Sequence, residues 1–314
     1  MVTREEAWPE TAPGSGVVRP RWYSHRLNRL VYYRVAAACA AALPRPARLC
    51  AARAMGRAMR HALPRERAHV RSNLARVLAG AAPSVLDAKV AETFANFAAS
   101  FADLLTINRE TPERLRAYVV VADGEEHLDE AFEARRGVVL LTAHLGNWEL
   151  GGRLLTRRAD RMTHVVLSAE QDGALERYLR LDGPRLRFVT RRHATSTLGL
   201  LAALRRNELV AMQGDRATGG RGDTRVPFFG SPATFPIGPF VLARAAGAPV
   251  VPAFCTLARG GGYRITIEPA IWVKAGEERA ALTAMVGALE RAIARCPTQW
   301  FNFFDVWGDA RAAA

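Results

Sequence analysis

The apolar positions along the chain change period several times, and each change marks an element. Leu27 to Leu43 is a mostly apolar, alanine-rich stretch that carries Arg29 and Arg34. After Pro44 and Pro46, Ala47 to Ala62 sets Arg48, Arg53, Arg57 and Arg60 against Leu49, Met55 and Met59. That spacing predicts a basic amphipathic helix. Pro64 to Leu78 and Ser84 to Ile107 also read as helices. In the second, Val90, Phe94, Phe97, Phe101, Leu104 and Leu105 form a stripe that fits core packing or the wall of an apolar channel.

From Tyr118 onward, strands alternate with helices. Strand-like runs at Tyr118–Val121, Val138–Leu141, His164–Leu167, Leu186–Val189, Leu209–Met212 and Val250–Thr256 are separated by helical patterns. Those helices fall at Glu125–Glu133, Asp172–Leu181, Thr197–Arg206 and Pro239–Ala246. Tyr263–Ile267 alternates as the edge strand of a hairpin, and Glu277–Arg295 is a long amphipathic helix ahead of an aromatic run, Gln299–Trp307. This rhythm predicts an α/β fold with a mixed, mainly parallel central sheet flanked by helices.

The stretch most suited to chemistry runs from Gly137 to Leu155. Val138–Leu141 is an unbroken apolar run, as expected of a buried parallel strand. Leu150, Leu154 and Leu155 then repeat at helical spacing, with Asn147 as N-cap and Gly146 permitting a tight turn. His144 falls at the end of the strand and Glu149 in the first turn of the helix. Ligands in open α/β sheets collect beyond the carboxyl ends of the strands. There an imidazole can act as a general base, a nearby carboxylate can hold its tautomer, and N–H groups opening the helix can stabilise an oxyanion. The pair taken alone also fits a half-buried histidine and a first-turn acid favoured by the helix dipole. Asp215 and Arg216 follow the strand Leu209–Met212, so they belong on the same face as His144. Arg216 offers a guanidinium and Gly219-Gly220 a pliable backbone, suited to a phosphate or an acyl carbonyl. Val226-Pro227-Phe228-Phe229-Gly230 reads as an apolar loop able to line a hydrocarbon pocket.

Charge narrows the choice of partner. The formal net charge of +14 comes from arginine, with Lys89 and Lys274 the only lysines. Such a balance suits a membrane surface, a phosphorylated lipid, an acidic carrier protein or nucleic acid. Nucleic-acid modules interleave basic residues with exposed aromatics on one platform; here the aromatics cluster in apolar loops, which argues against nucleic acid. Cys39, Cys50, Cys255 and Cys296 have no CxxC spacing, which argues against disulfides and zinc and fits a reducing compartment. H-E-x-x-H and G-x-S-x-G are both absent, so neither a zincin-type metal site nor a serine-hydrolase elbow is expected. Met1–Pro20 reads as a disordered leader without the apolar core of a secretory signal, and Arg221-Gly222-Asp223 as a chance adhesion tripeptide.

Several blocks together resemble a known family. His144-Leu-Gly-Asn-Trp-Glu149, Gly214-Asp215-Arg216, Val226-Pro-Phe-Phe-Gly230 and Ala248-Pro-Val-Val-Pro252 match the order and spacing of the bacterial lipid A late acyltransferases and their phosphatidylinositol-mannoside acyltransferase relatives. With Arg67–Leu78 and Gln299-Trp300-Phe301, the similarity covers about residues 25–307. The resemblance implies direct acyl transfer from an acyl carrier protein or acyl-coenzyme A to a hydroxyl of a glycolipid or lipid A-like acceptor. No cofactor and no metal are implied. His144 and Glu149 would be the catalytic pair. Gly146, Asn147, Asp215, Arg216, Phe228 and Phe229 would bind substrate, with Asp215 fixing the Arg216 side chain. With the basic amphipathic helices read as lying on an anionic leaflet, the expected layout is a leader (1–24), membrane-associating helices (25–62) and an acyltransferase domain (63–314), on the cytoplasmic face of the inner membrane. Two ordinary surface helices of a soluble enzyme are the other reading of residues 25–62. Val166–Gln171 lacks the Tyr-Arg pair that many lipid A enzymes carry after this strand, which suggests an acceptor less phosphorylated than lipid A. A lysophospholipid acyltransferase would share the catalytic pair but would show Glu-Gly-Thr-Arg where this chain has Gln213-Gly214-Asp215-Arg216. A basic, non-enzymatic membrane- or nucleic-acid-binding protein is the alternative of a different class.

Overall fold

The computed structural model describes residues 30–106, 110–152, 161–167, 185–190, 194–217 and 222–308. The leader, the helix expected at Asp172–Leu181, residues 168–171 and Gly219-Gly220 lie outside these residues.

Seven strands form one sheet: β1 (Val119–Asp123), β2 (Val138–Thr142), β3 (Thr163–Leu167), β4 (Leu186–Thr190), β5 (Leu209–Gln213), β8 (Val250–Leu257) and β9 (Tyr263–Ile267). Their order is β1-β9-β8-β2-β5-β3-β4. The five strands from β8 to β4 are parallel; β9 runs antiparallel to β8, and β1 pairs parallel with β9. The sheet is therefore mixed and mainly parallel, as the strand–helix rhythm predicts. Tyr263–Ile267 does form the expected hairpin with β8, but it is not the edge. β1, more than a hundred residues earlier in the chain, covers its outer side.

Burial explains why β2 reads as a continuous apolar run. Val139 and Leu141 face a cluster with Leu200, Leu204, Phe240, Leu282 and Met285 from three helices. Val138 and Leu140 face the other cluster, with Leu49, Leu104, Leu128 and Phe132. Both faces of the strand are covered, so every position is apolar.

Against the second cluster pack α2 (Arg45–Ala62) and α4 (Pro83–Thr106), with α1 (Leu30–Ala41) and α3 (Pro64–Val77) packed beside α4. α2 runs against α4 at backbone distance: a Cβ on Gly56 would lie 2.4 Å from the carbonyl oxygen of Phe94. The contact is further locked by charge. Asp103 of α4, almost fully buried, accepts hydrogen bonds from both Arg45 and Arg48 of α2. Val35 of α1, Met55 and Met59 of α2, and Leu43 in the turn between the two helices are exposed. No helix among the described residues is long and apolar enough to cross a membrane. The aromatic stripe of α4 is core: Phe97 stacks on Phe101 and meets Phe301 and Phe303 edge-on.

The expected apolar loop at Val226–Gly230 is instead part of a two-stranded antiparallel ribbon, β6 (Asp223–Phe228) and β7 (Ser231–Pro236). Phe229 and Gly230 form its turn, at φ +46° and +73°, the left-handed conformations that a tight hairpin requires. Pro227, Pro232 and Pro236 hide these strands from a pattern reading. A ribbon with two edges tolerates them, because only one side of each strand needs donors. Phe228 is fully buried, stacked on Trp307 with ring centroids 5.3 Å apart, and touches Phe235 and Trp300 edge-on. Its ring packs the core of the ribbon.

Candidate active site

Strand register assembles the site. β2 and β5 are adjacent and parallel, with Thr142 opposite Gln213. The Gly214 N–H donates to the carbonyl of Thr142 at 2.9 Å, so the two chains leave the sheet together. The residues that follow, His144 and Asp215, therefore meet at the carboxyl edge although 71 positions separate them. Gly214 allows the close approach, since a Cβ there would come within 2.9 Å of the Leu141 side chain.

The imidazole Nδ1 of His144 lies 2.8 Å from Oδ1 of Asp215, and the His144 backbone N–H donates to Oδ2 at 3.0 Å. A carboxylate can only accept, so the Nδ1 position carries the hydrogen. The indole of Trp148 packs edge-on against the imidazole, with ring centroids 4.8 Å apart. Burial alone would push the Asp215 carboxyl up. The facing His144, its two hydrogen bonds and the charge of Arg216 outweigh it and bring the group from an ordinary 3.8 down to about 2. A carboxyl lowered on folding stabilises the fold above its unfolded pKa and loses that contribution as pH falls through the folded one. Acid melts should therefore show a stability step between about pH 4 and pH 2 that Asp215→Asn lacks.

The turn between His144 and the helix that opens at Trp148 is held from three sides. Gly146 sits at φ +65°, and a Cβ there would lie 2.1 Å from the carbonyl oxygen of Cys255. The Gly146 N–H donates to Gln299 O, the Asn147 N–H to Cys255 O, and the Phe301 N–H to His144 O, each at 2.8 Å. Asn147 caps the helix as its position in the sequence suggests, its Oδ1 accepting from Leu150 N–H at 3.2 Å. Its amide also donates to Ser100 O and to the Tyr263 hydroxyl, which in turn donates to Asp103. One buried chain of hydrogen bonds thus links the turn to the arginines of α2. The N–H groups of Gly146, Asn147 and Leu150 are engaged inside the protein, so any oxyanion role at the helix start falls to the remaining N–H groups of its first turn.

Of the site residues expected from the sequence, His144, Gly146, Asn147, Glu149, Asp215 and Arg216 share this edge of the sheet, while Phe228 and Phe229 belong to the ribbon. Glu149 is half-buried in the first helical turn, and the carboxylate on Nδ1 of His144 is that of Asp215. Arg216 is anchored on the closing aromatic segment. Its Nε donates to Asn302 Oδ1 at 3.0 Å and its Nη2 to Phe301 O at 3.1 Å, while its guanidinium lies 5.3 Å from the Phe304 ring centroid. Asn302, Tyr263 and Asp103 escaped the pattern reading: each looks like an ordinary polar residue in an apolar segment. Cys255, behind the turn, is an inert thiol, pushed up to about 12 by burial. Among the described residues, no three His, Cys, Asp or Glu side chains gather into a metal-holding group.

Sequence comparison identifies the family. A profile of bacterial lipid A biosynthesis acyltransferases matches residues 24–308. A phosphatidylinositol mannoside acyltransferase of Mycobacterium tuberculosis is 29% identical over 244 residues, 76% of each chain. One from Mycolicibacterium smegmatis is 26% identical over 241 residues, covering 76% of this chain and 78% of that one. The lipid A biosynthesis palmitoleoyltransferase of Escherichia coli is 27% identical over 183 residues, 57% of this chain and 58% of that one. With its strand-end histidine block inside a match that spans most of its length, the chain belongs to the bacterial lipid A biosynthesis acyltransferase family and is an acyltransferase.

Proposed function

We propose that the protein moves a fatty acyl group from the thioester of an acyl carrier protein or coenzyme A to a hydroxyl of a membrane glycolipid. His144 Nε2 takes the proton of the acceptor hydroxyl as its oxygen attacks the thioester carbonyl. The tetrahedral intermediate then expels the thiolate, which takes that proton back from the imidazolium. Asp215 holds the tautomer that leaves Nε2 unprotonated and balances the charge that the ring gains. Glu149, two residues after the capping Asn147, adds a second carboxylate to the same turn. Arg216, anchored at Asn302 and Phe301, is suited to the phosphate of a donor or acceptor. The observation that carries this reading is the 2.8 Å contact between His144 and Asp215 at the sheet's carboxyl edge. The names of the relatives support a glycolipid acceptor, the mycobacterial ones a mannosylated phosphatidylinositol.

The exposed Val35, Leu43, Met55 and Met59, set among Arg34 and Arg57, support a resting position on an anionic leaflet. The cytoplasmic face of the inner membrane, where acyl thioesters are made, is the proposed location. Mass spectrometry of total lipids tests the chemistry in cells lacking the gene and complemented with either form. Wild type should restore the missing acylated lipid, and His144→Ala, accumulating to the same level, should not. Full restoration by His144→Ala would remove the histidine from the reaction.

A further inference from the structure

We infer that Asn302 is a positioning residue for acyl transfer, its side-chain amide tying the carboxylate of Asp215 to the guanidinium of Arg216 and so fixing the direction in which His144 presents Nε2. The inference rests on the proposed pairing of His144 with Asp215.

The hydrogen-bond roles leave only one orientation for the amide. Arg216 can only donate, so the atom facing its Nε at 3.0 Å is Oδ1. Asp215, ionised, can only accept, so Nδ2 faces its Oδ2, at 3.4 Å. A side chain of this size with one acceptor and one donor suits both neighbours. Leucine offers neither, and aspartate sets a second negative charge against the first. Asn302 is almost fully buried, and its place is set from outside the site. The side-chain amide of Asn73, on α3, donates to Asn302 O at 3.0 Å and to Phe304 O at 2.8 Å. Asn73 Oδ1 accepts from Val306 N–H at 3.3 Å. The neighbouring peptide completes the clamp: Phe301 N–H binds His144 O, and Phe301 O accepts from Arg216. Two consecutive residues, Phe301 and Asn302, thus hold His144, Asp215 and Arg216 in mutual register. Oδ2 of Asp215 accepts from the His144 backbone and from Asn302, which resists rotation of the carboxylate as the ring gains and loses charge in each cycle.

The test uses the full-length protein with palmitoyl-coenzyme A and palmitoyl-acyl carrier protein as donors and total membrane lipid as acceptor. Asn302→Leu should lower kcat roughly 10- to 100-fold, with KM for both substrates within about twofold of wild type. In an Asp215→Asn background the same change should cause little further loss, because Asn302 acts through that carboxylate. A wild-type kcat for Asn302→Leu, or an equal loss in both backgrounds, overturns the inference. Should Asn302→Leu fail to fold, Asn302→Asp decides. It keeps an acceptor for Arg216, yet kcat should fall and the acid limb of the kcat/KM profile should move to higher pH. The charged groups around the amide are Asp215, Arg216 and His144, with His69 of α3 bound to Phe303 O beyond them. An Asn302→Asp enzyme with wild-type kcat and pH profile rejects the positioning role. If Asp215→Asn alone turns over at the wild-type rate, the His144–Asp215 reading falls and this inference falls with it. If Asp215→Asn is impaired while Asn302→Leu is not, only the inference is lost.

Discussion

Asp215→Asn is expected to lower kcat by about 10²–10⁴ while leaving the protein folded at neutral pH. The argument is one of donors and acceptors. Asp215 receives Nδ1–H on one oxygen and the His144 backbone N–H on the other. An asparagine has a single acceptor oxygen. If that oxygen keeps the backbone bond, the amide nitrogen faces Nδ1 and favours the tautomer with its hydrogen on Nε2, which cannot take a proton from the acceptor. If the amide turns, the backbone N–H faces a donor instead. Neither arrangement supplies a negative charge to balance the imidazolium. Single-turnover transfer from an acyl thioester, read beside a thermal melt, checks the result. A wild-type rate would mean that another acid serves His144, with Glu149 the first to test by the same substitution to glutamine.

Asp103→Ala is expected to give the largest loss of stability, about 3–5 kcal/mol, by removing one partner of a buried ion cluster. Asp103 is bound by Arg45 at Nε and Nη2, by Arg48 at 3.1 Å and by the Tyr263 hydroxyl at 2.9 Å. Without the carboxylate, Arg48 keeps a buried positive charge with no acid to meet it. Tyr263, whose hydroxyl is pushed well above its ordinary pKa by burial and by the Asp103 charge, loses its acceptor. The expected change in Tm is a fall of roughly 5–10 °C, read by calorimetry or circular dichroism. Activity should fall as well if the proposed site is right, because Tyr263 receives the amide of Asn147, which caps the helix after His144. A melt unchanged from wild type would show that α2 is held by its apolar contacts alone.

Local rules reach as far as local structure does. The apolar run Val138–Leu141, the capping Asn147 and the obligatory glycine at 146 can be read directly, because one strand, one turn and one helix start determine them. The place of His144 at the end of a strand is legible for the same reason. The carboxylate that lies on its Nδ1 is not. Glu149 is near in sequence, but Asp215 is brought to Nδ1 by the pairing of β2 with β5, and pairing between distant strands leaves no local trace. The adjacency of β1 to β9 is hidden in the same way. Asn302 sits in the aromatic run Gln299–Trp307, where packing accounts for every neighbour and nothing marks one amide as different. The β6–β7 ribbon is missed for another reason: its prolines argue against strands anywhere except in a pair with two free edges.

The bare glycine contact between α2 and α4 has a consequence for how the protein meets its substrate. A helix keyed into a neighbour's backbone can neither swivel nor slide. The side it turns outward therefore keeps a constant bearing on the reaction centre. If the protein rests on lipid as proposed, that fixed side holds the His144 edge at one height above the leaflet, like a plane iron set in its stock, and the hydroxyls within its reach are those at that height.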